Sequence, residues 1–299
     1  AAGSRMLRIT ELRLPLNHPE PALRAAVLAR LGVADAALRH VHVFRRAWDA
    51  RRKSAIVLIY TLDVAVEGEA ELLARFAGDP HIRPAPDTSY RFVGHAPADF
   101  AASGRPRPLV IGFGPCGIFA ALILAQMGLR PIVLERGKVV RERTQDTWGL
   151  WRRSELNPES NVQFGEGGAG TFSDGKLYSQ IKDPQHYGRK VLEEFVKAGA
   201  PDEILYVSKP HIGTFRLVSM IEKMREEIVA LGGGRWSYTT VIADAAERDG
   251  QERPVGEFDF LAAKAERKQA EVAALQEKLA RLSAPASGSA AITVDQPSV

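Results

Sequence analysis

Only one cysteine, Cys116, occurs in 299 residues. A lone thiol excludes an intramolecular disulfide framework and any cluster of cysteine metal ligands, and it fits a reducing cytoplasm. Neither Gly (26) nor Pro (18) is abundant enough for a fibrous or low-complexity chain. The opening string AAGSRMLRIT lacks the apolar core of a secretory signal. Its first five residues, ahead of Met6, read as an addition outside the fold. No strong excess of one charge is present: 40 Lys and Arg against 36 Asp and Glu leave a net charge of +4. That mildly favours anionic ligands and falls well short of a nucleic-acid footprint. H-E-x-x-H, Walker and Ser/His/Asp patterns are missing, so no metal site is expected. What is there is ordinary for a globular protein, 45% hydrophobic and 25% charged. The length suggests about two domains.

One apolar run is long enough to span a bilayer, from Leu109 to Leu129 without a charge. Gly112, Gly114, Pro115 and Gly117 interrupt it near its start. The run therefore reads as a buried strand, a tight turn and a helix, with no membrane partner.

Periodicity divides the chain further. Residues 6–100 give strand, helix, strand, strand, helix, the order of a small ferredoxin-like α+β domain. Residues 101–107, AASGRPR, read as a linker. Residues 108–234 read as an incomplete α/β, Rossmann-like lobe, with helices over 117–127, 188–198 and 214–231 and the run GGG closing the last. Residues 235–257 read as a strand and polar turn. Residues 258–283 carry a heptad stripe, Leu261, Ala265, Lys268, Val272, Leu275, Leu279 and Leu282, which predicts an amphipathic helix or short coiled coil. Residues 284–299 are small and polar, the composition of a disordered tail.

The sharpest chemical signal is LVIGFGPCGIFAALILAQMGLRPIVLERG. Gly112, Gly114 and Gly117 make G-x-G-x-x-G between an apolar strand and a helix. The first glycine allows the turn, the second the approach of a pyrophosphate, the third close helix–strand packing. Pro115 and Cys116 lie within the turn, where the helix N-terminus favours anions. Glu135 follows 23 positions after Gly112, at the end of a second apolar strand. An acid there accepts hydrogen bonds from an adenosine ribose and disfavours a 2′-phosphate. Arg136, beside it, is a candidate for the adenine edge or a phosphate. A glycine-laced apolar turn without a ligand is the plainer alternative, and Cys116 as a small residue filling the turn is the plainer reading of that thiol.

A second cluster, NVQFGEGGAGTFSDGKLYS, packs Gly165, Gly167, Gly168, Gly170 and Gly175 into eleven positions. Its Ala169, Thr171, Ser173, Asp174 and Lys176 sit between or beside the glycines. Such a run suits a loop whose backbone approaches a flat or phosphorylated ligand. Lys176 is suited to phosphate charge, Thr171 and Ser173 to ring heteroatoms, and Asp174 to a ribityl hydroxyl or a turn.

With RRAWDARRKSAIVLIYTLDV, RPLVIGFGPCGIFAALILA, VLERG, VQFGEGGAGTFSDGKL and KPHIGTFRL, the chain resembles the uncharacterised FAD-dependent dehydrogenases of bacteria, relatives of the glutathione-reductase type of flavoprotein. The resemblance covers about residues 7–234. It implies FAD as the tightly bound nucleotide, with Gly112, Gly114, Gly117 and Glu135 on the ADP half and residues 165–177 near the pyrophosphate and isoalloxazine. It also implies a cytoplasmic oxidoreductase, with NAD(P)H as a candidate donor and a substrate that is not named. Family members continue beyond Gly234 with flavin-closing segments that are not found here, so the chain reads as a truncated or fused version.

Flavin chemistry asks little acid–base help of the protein. His211 is the best titratable candidate for catalysis, since imidazole changes charge near neutral pH, and a structural histidine is its plainer reading. Lys209 beside it suits an anionic group. Trp148 and Trp151, three apart on a helix, suit an aromatic ligand or packing. The competing expectation is a non-catalytic nucleotide-binding protein that forms a homodimer through residues 258–283. RNA binding by the first domain, through Arg45, Arg46, Arg51, Arg52 and Lys53, is set aside because no RNP-type aromatic string accompanies them.

Overall fold

The computed structural model describes residues 6–52, 54–179 and 181–237. The expected heptad helix and dimer contact at 258–283, the turn beyond Ser237 and the tail at 284–299 lie outside the described residues.

The first part is built in the order β1 (Leu7–Pro15), α1 (Pro21–Leu31), β2 (Leu38–Asp49), β3 (Val57–Val66), α2 (Glu69–Arg75), β4 (Ile82–Pro84). The strands form one antiparallel sheet in the spatial order β2-β3-β1-β4. Alternation sets its faces. Leu7 and Ile9 of β1 point inward; a bulge at Glu11, whose φ is +57°, then shifts the phase so that Leu12 points inward too. α1 starts at a proline and ends at Gly32, which at φ +62° donates its N–H to the Leu28 carbonyl. Its Val27 and Leu31 complete the core with Leu62 and Val64.

The opposite face of this sheet is polar and still covered. Arg8 and Asp63 pair across β1 and β3 through two 2.7 Å bonds, and the Arg8 guanidinium lies 3.6 Å from the centre of the Phe44 ring. β2 is extended by a short parallel bridge to the second part: the Arg46 N–H donates to the Tyr206 carbonyl, and the Ser208 N–H donates to the Arg46 carbonyl. Arg45 donates to the Ser208 hydroxyl and Arg46 stacks on Tyr206. These two arginines therefore serve an internal contact.

The second part contains β5 (Leu109–Ile111), α3 (Pro115–Gln126), β6 (Ile132–Glu135), α4 (Val140–Arg153), α5 (Tyr187–Lys197), α6 (Thr214–Ala230) and β7 (Gly234–Ser237). β5, β6 and β7 pair in parallel in that spatial order. The uncharged stretch from Leu109 onward is divided between β5, a turn and α3, and no helix among the described residues is long and apolar enough to cross a membrane. α3 buries Ile118, Ala121, Leu122 and Ala125 against Met220, Ile221, Met224 and Ile228 of α6. The segment read as a linker is fastened at its end: Arg107 donates to the carbonyls of Arg130, Pro131 and Gly232.

Candidate functional site

The site begins at the turn between β5 and α3. The Gly112 N–H donates to the Leu134 carbonyl at 2.7 Å, which ties the turn to β6. At φ +90° Gly112 adopts a conformation that favours glycine, and a β-carbon there would meet nothing within 4 Å, so the turn faces open space. Gly117 is the reverse case. A β-carbon on it would fall 2.0 Å from the Gly112 carbonyl oxygen, so no larger residue fits without moving the helix start. Pro115 occupies the first turn of α3, where its missing N–H costs nothing. Cys116 is exposed.

Glu135 is buried at the end of β6. One carboxylate oxygen accepts the Phe113 N–H at 2.6 Å and the other the Gly137 N–H at 2.7 Å. The side chain thus holds the glycine turn from beneath. A carboxylate has about four lone-pair positions, so it keeps acceptor capacity for a ribose hydroxyl. Arg136, expected near adenine or phosphate, instead pairs with Glu159 at 2.9 Å and lies over the Phe164 ring.

The second glycine segment folds onto the first. The Gly167 N–H donates to the Phe113 carbonyl at 2.8 Å. A β-carbon on Gly168 would come within 2.9 Å of Pro115 Cδ and 3.3 Å of Gly114 Cα. Gly137 and Gly165 meet as closely: a β-carbon on Gly137 would lie 2.4 Å from Gly165 Cα. Beyond them Gly170 meets nothing within 4 Å, so it too borders open space. Ala169 begins a short turn that runs to Phe172. Thr171 is buried, and its hydroxyl has no hydrogen-bond partner among the described residues.

Three residues that the sequence reading did not single out hold this loop. Arg143 of α4 is fully buried and donates to the carbonyls of Asn161, Val162 and Glu166 at 2.7–2.8 Å. Burial pushes its pKa down to about 10, against the pull of Glu135 and Glu166. Glu166, also fully buried, accepts the Val140 N–H at 2.6 Å and two contacts from Arg225 at 2.7 and 2.8 Å. The available signal was a carboxylate inside a glycine string, with arginines on two amphipathic helices. Only the tertiary contact reveals the pairing.

The remaining expected residues gather elsewhere. Ser173 donates its hydroxyl to the Gly170 carbonyl and so is committed to its own turn. Asp174, Lys176 and His211 lie together: Lys176 Nζ is 3.3 Å and His211 Nδ1 3.7 Å from Asp174 Oδ2. Two groups therefore emerge, a backbone cradle at 112–117, 135 and 165–170, and a charged cluster at 174, 176 and 211. Trp148 and Trp151 are exposed rather than packed in a core; Arg152 covers the Trp148 ring at 3.9 Å, and Trp151 meets Phe172 edge-on. A surface hollow of about 490 Å³ on α4 is lined by Thr144, Gln145, Trp148 and Arg153, with no cradle residue in its wall.

Comparison with known proteins adds two likenesses. Residues 6–65, which run from the start of β1 almost to the end of β3, match a domain of unknown function, DUF8436. Over 249 residues the chain is 41% identical to an uncharacterized protein of Clostridium beijerinckii, a match that takes in 82% of this chain and 44% of that protein. The chain therefore spans less than half the length of the curated relative it matches.

Proposed function

We propose that the chain binds FAD where its two glycine segments meet, as the nucleotide-binding part of a cytoplasmic FAD-dependent oxidoreductase with a Rossmann-like lobe. The observation that carries this reading is the approach of Gly168 to Pro115 and Gly114 at the start of α3. Two glycine-rich backbone segments form one surface beside a helix N-terminus, and Gly112 and Gly170 leave it open. That surface suits a pyrophosphate, which asks for N–H donors and close backbone approach. The resemblance of GFGPCG, VLERG and GEGGAGTFSDGKL to FAD-dependent dehydrogenases supports the choice of nucleotide.

In this reading Gly112, Gly114, Pro115, Cys116 and Gly117 line the pyrophosphate, Glu135 receives a ribose hydroxyl, and residues 165–171 run beside the riboflavin half. The buried Thr171 hydroxyl fits a ligand hydroxyl or carbonyl near that end. The bound flavin would supply the hydride chemistry; the chain binds it, orients it and sets its electrostatic surroundings. NAD(P)H is the proposed electron donor. Isothermal titration tests the nucleotide preference: FAD binding at one site per chain, undisturbed by millimolar NAD⁺, is expected. Equal or tighter binding of NAD⁺ overturns the assignment of FAD.

A further inference from the structure

A two-stranded ladder next to the cradle carries charge in a pattern of its own. The Leu177 N–H donates to the Pro210 carbonyl at 3.0 Å, the Ile212 N–H to the Gly175 carbonyl at 3.1 Å, and the Gly213 N–H to the Asp174 carbonyl at 3.0 Å. Lys176 and His211 are directly opposite each other in antiparallel pairing. Gly175 and Lys209 have left-handed backbone, φ +70° and +55°, so the inward side is read from burial and contact. Ile212 is buried, a β-carbon on Gly175 would touch Ile212, and Leu177 packs on the core.

Asp174, Lys176, Tyr178, Lys209 and His211 are all exposed. Asp174 Oδ2 lies between Lys176 Nζ at 3.3 Å and His211 Nδ1 at 3.7 Å, and Lys209 Nζ sits 5.0 Å from the centre of the Tyr178 ring. Two lysines against one carboxylate leave this plate one positive charge with the imidazole neutral and two with it protonated. Asp174 places one carboxylate oxygen near both Lys176 and His211, so an added carboxylate competes with it for these donors. The plate is joined to the cradle through a single residue, since the Ser173 hydroxyl accepts the Gly175 N–H and donates to the Gly170 carbonyl.

The geometry points to this plate as a binding site for a small organic carboxylate, which makes the substrate of the proposed oxidoreductase an organic acid. Lys176 and Lys209 are its cationic anchors, His211 the third donor and Tyr178 an aromatic wall. This inference rests on the FAD reading for its role, but not for its binding event, so the two can fail separately.

The test uses the full chain, without FAD and then with it. Malonate is titrated while backbone and histidine resonances are followed by NMR, with sodium chloride at matched ionic strength as the control and inorganic phosphate as a parallel arm. Saturable malonate shifts confined to residues 174–178 and 209–213 are expected. The double substitution Lys176→Ala/Lys209→Ala should weaken malonate at least tenfold while leaving spectral dispersion unchanged; Lys176→Gln/Lys209→Gln serves as a second variant with the stems retained. Shifts reproduced by chloride, no saturation, or unchanged affinity in both variants overturn the proposal. Phosphate binding tighter than malonate overturns the carboxylate assignment. Loss of FAD binding with malonate binding intact removes the oxidoreductase reading and leaves the anion site standing.

Discussion

Gly168 stands against Pro115 so closely that a β-carbon on the glycine would lie 2.9 Å from the proline ring. Residues 53 positions apart thereby form one continuous backbone surface. Most of the testable consequences follow from how that surface is made and held.

Gly117→Ala should destabilise the protein by roughly 1–3 kcal/mol, the usual range for forcing volume into a packed contact, because its β-carbon would fall 2.0 Å from the Gly112 carbonyl oxygen. Gly170→Ala, with nothing within 4 Å, should stay within about 0.5 kcal/mol of the parent. Urea unfolding of the two variants checks both. Equal losses would show that the turn is looser than described.

Removing the Arg143 guanidinium leaves three carbonyls without their donor. Arg143→Met should therefore cost about 3 kcal/mol or more, since each buried unsatisfied group costs roughly 1–3 kcal/mol. FAD affinity should fall with it, because residues 161–166 lose their support. A variant as stable as the parent would remove Arg143 from the account.

Glu135→Gln keeps the size of the side chain but turns one acceptor into a donor that faces the Phe113 or Gly137 N–H. FAD binding should weaken tenfold or more, with the rest of the fold retained by circular dichroism. Unchanged affinity would separate this carboxylate from the nucleotide.

How much of this was legible in the sequence depends on the range of the interaction. The G-x-G-x-x-G turn was legible because strand, turn and helix are adjacent in the chain and each glycine answers a local constraint. The second glycine run announced a close backbone approach, but not to what. Its contact with Pro115 crosses two intervening elements, β6 and α4. Glu135 was placed correctly at the strand end, whereas its bonds to Phe113 and Gly137 are invisible to spacing arguments. Arg143 and Glu166 were passed over because a charged residue on an amphipathic helix or among glycines normally faces water. Here tertiary packing encloses both, and their mutual contacts make that tolerable. Arg136 shows the converse: on the surface Glu159 and Phe164 hold it, contacts that spacing does not reveal.

Glu194 gives a pH signature. Burial alone would raise its pKa, yet hydrogen bonds from Lys190 and Lys197 outweigh that and lower it. A carboxylate with a depressed folded-state pKa contributes stability above its unfolded value, near 4.3, and loses it as pH falls through the folded value. Glu194→Gln should therefore cost about 1.5–3 kcal/mol at pH 7, the range for hydrogen bonds to charged groups, and progressively less below pH 4. Urea unfolding of parent and variant at both pH values checks the sign. A gap that widens on acidification would contradict it.

The central claim is that the two glycine segments together bind FAD. The most direct measurement is the visible spectrum of the purified chain after incubation with FAD and gel filtration. One flavin per chain, with its absorption bands shifted from those of free FAD and lost in Gly117→Val, is the predicted result. A colourless protein peak, with all flavin recovered in the free fraction, would contradict the account.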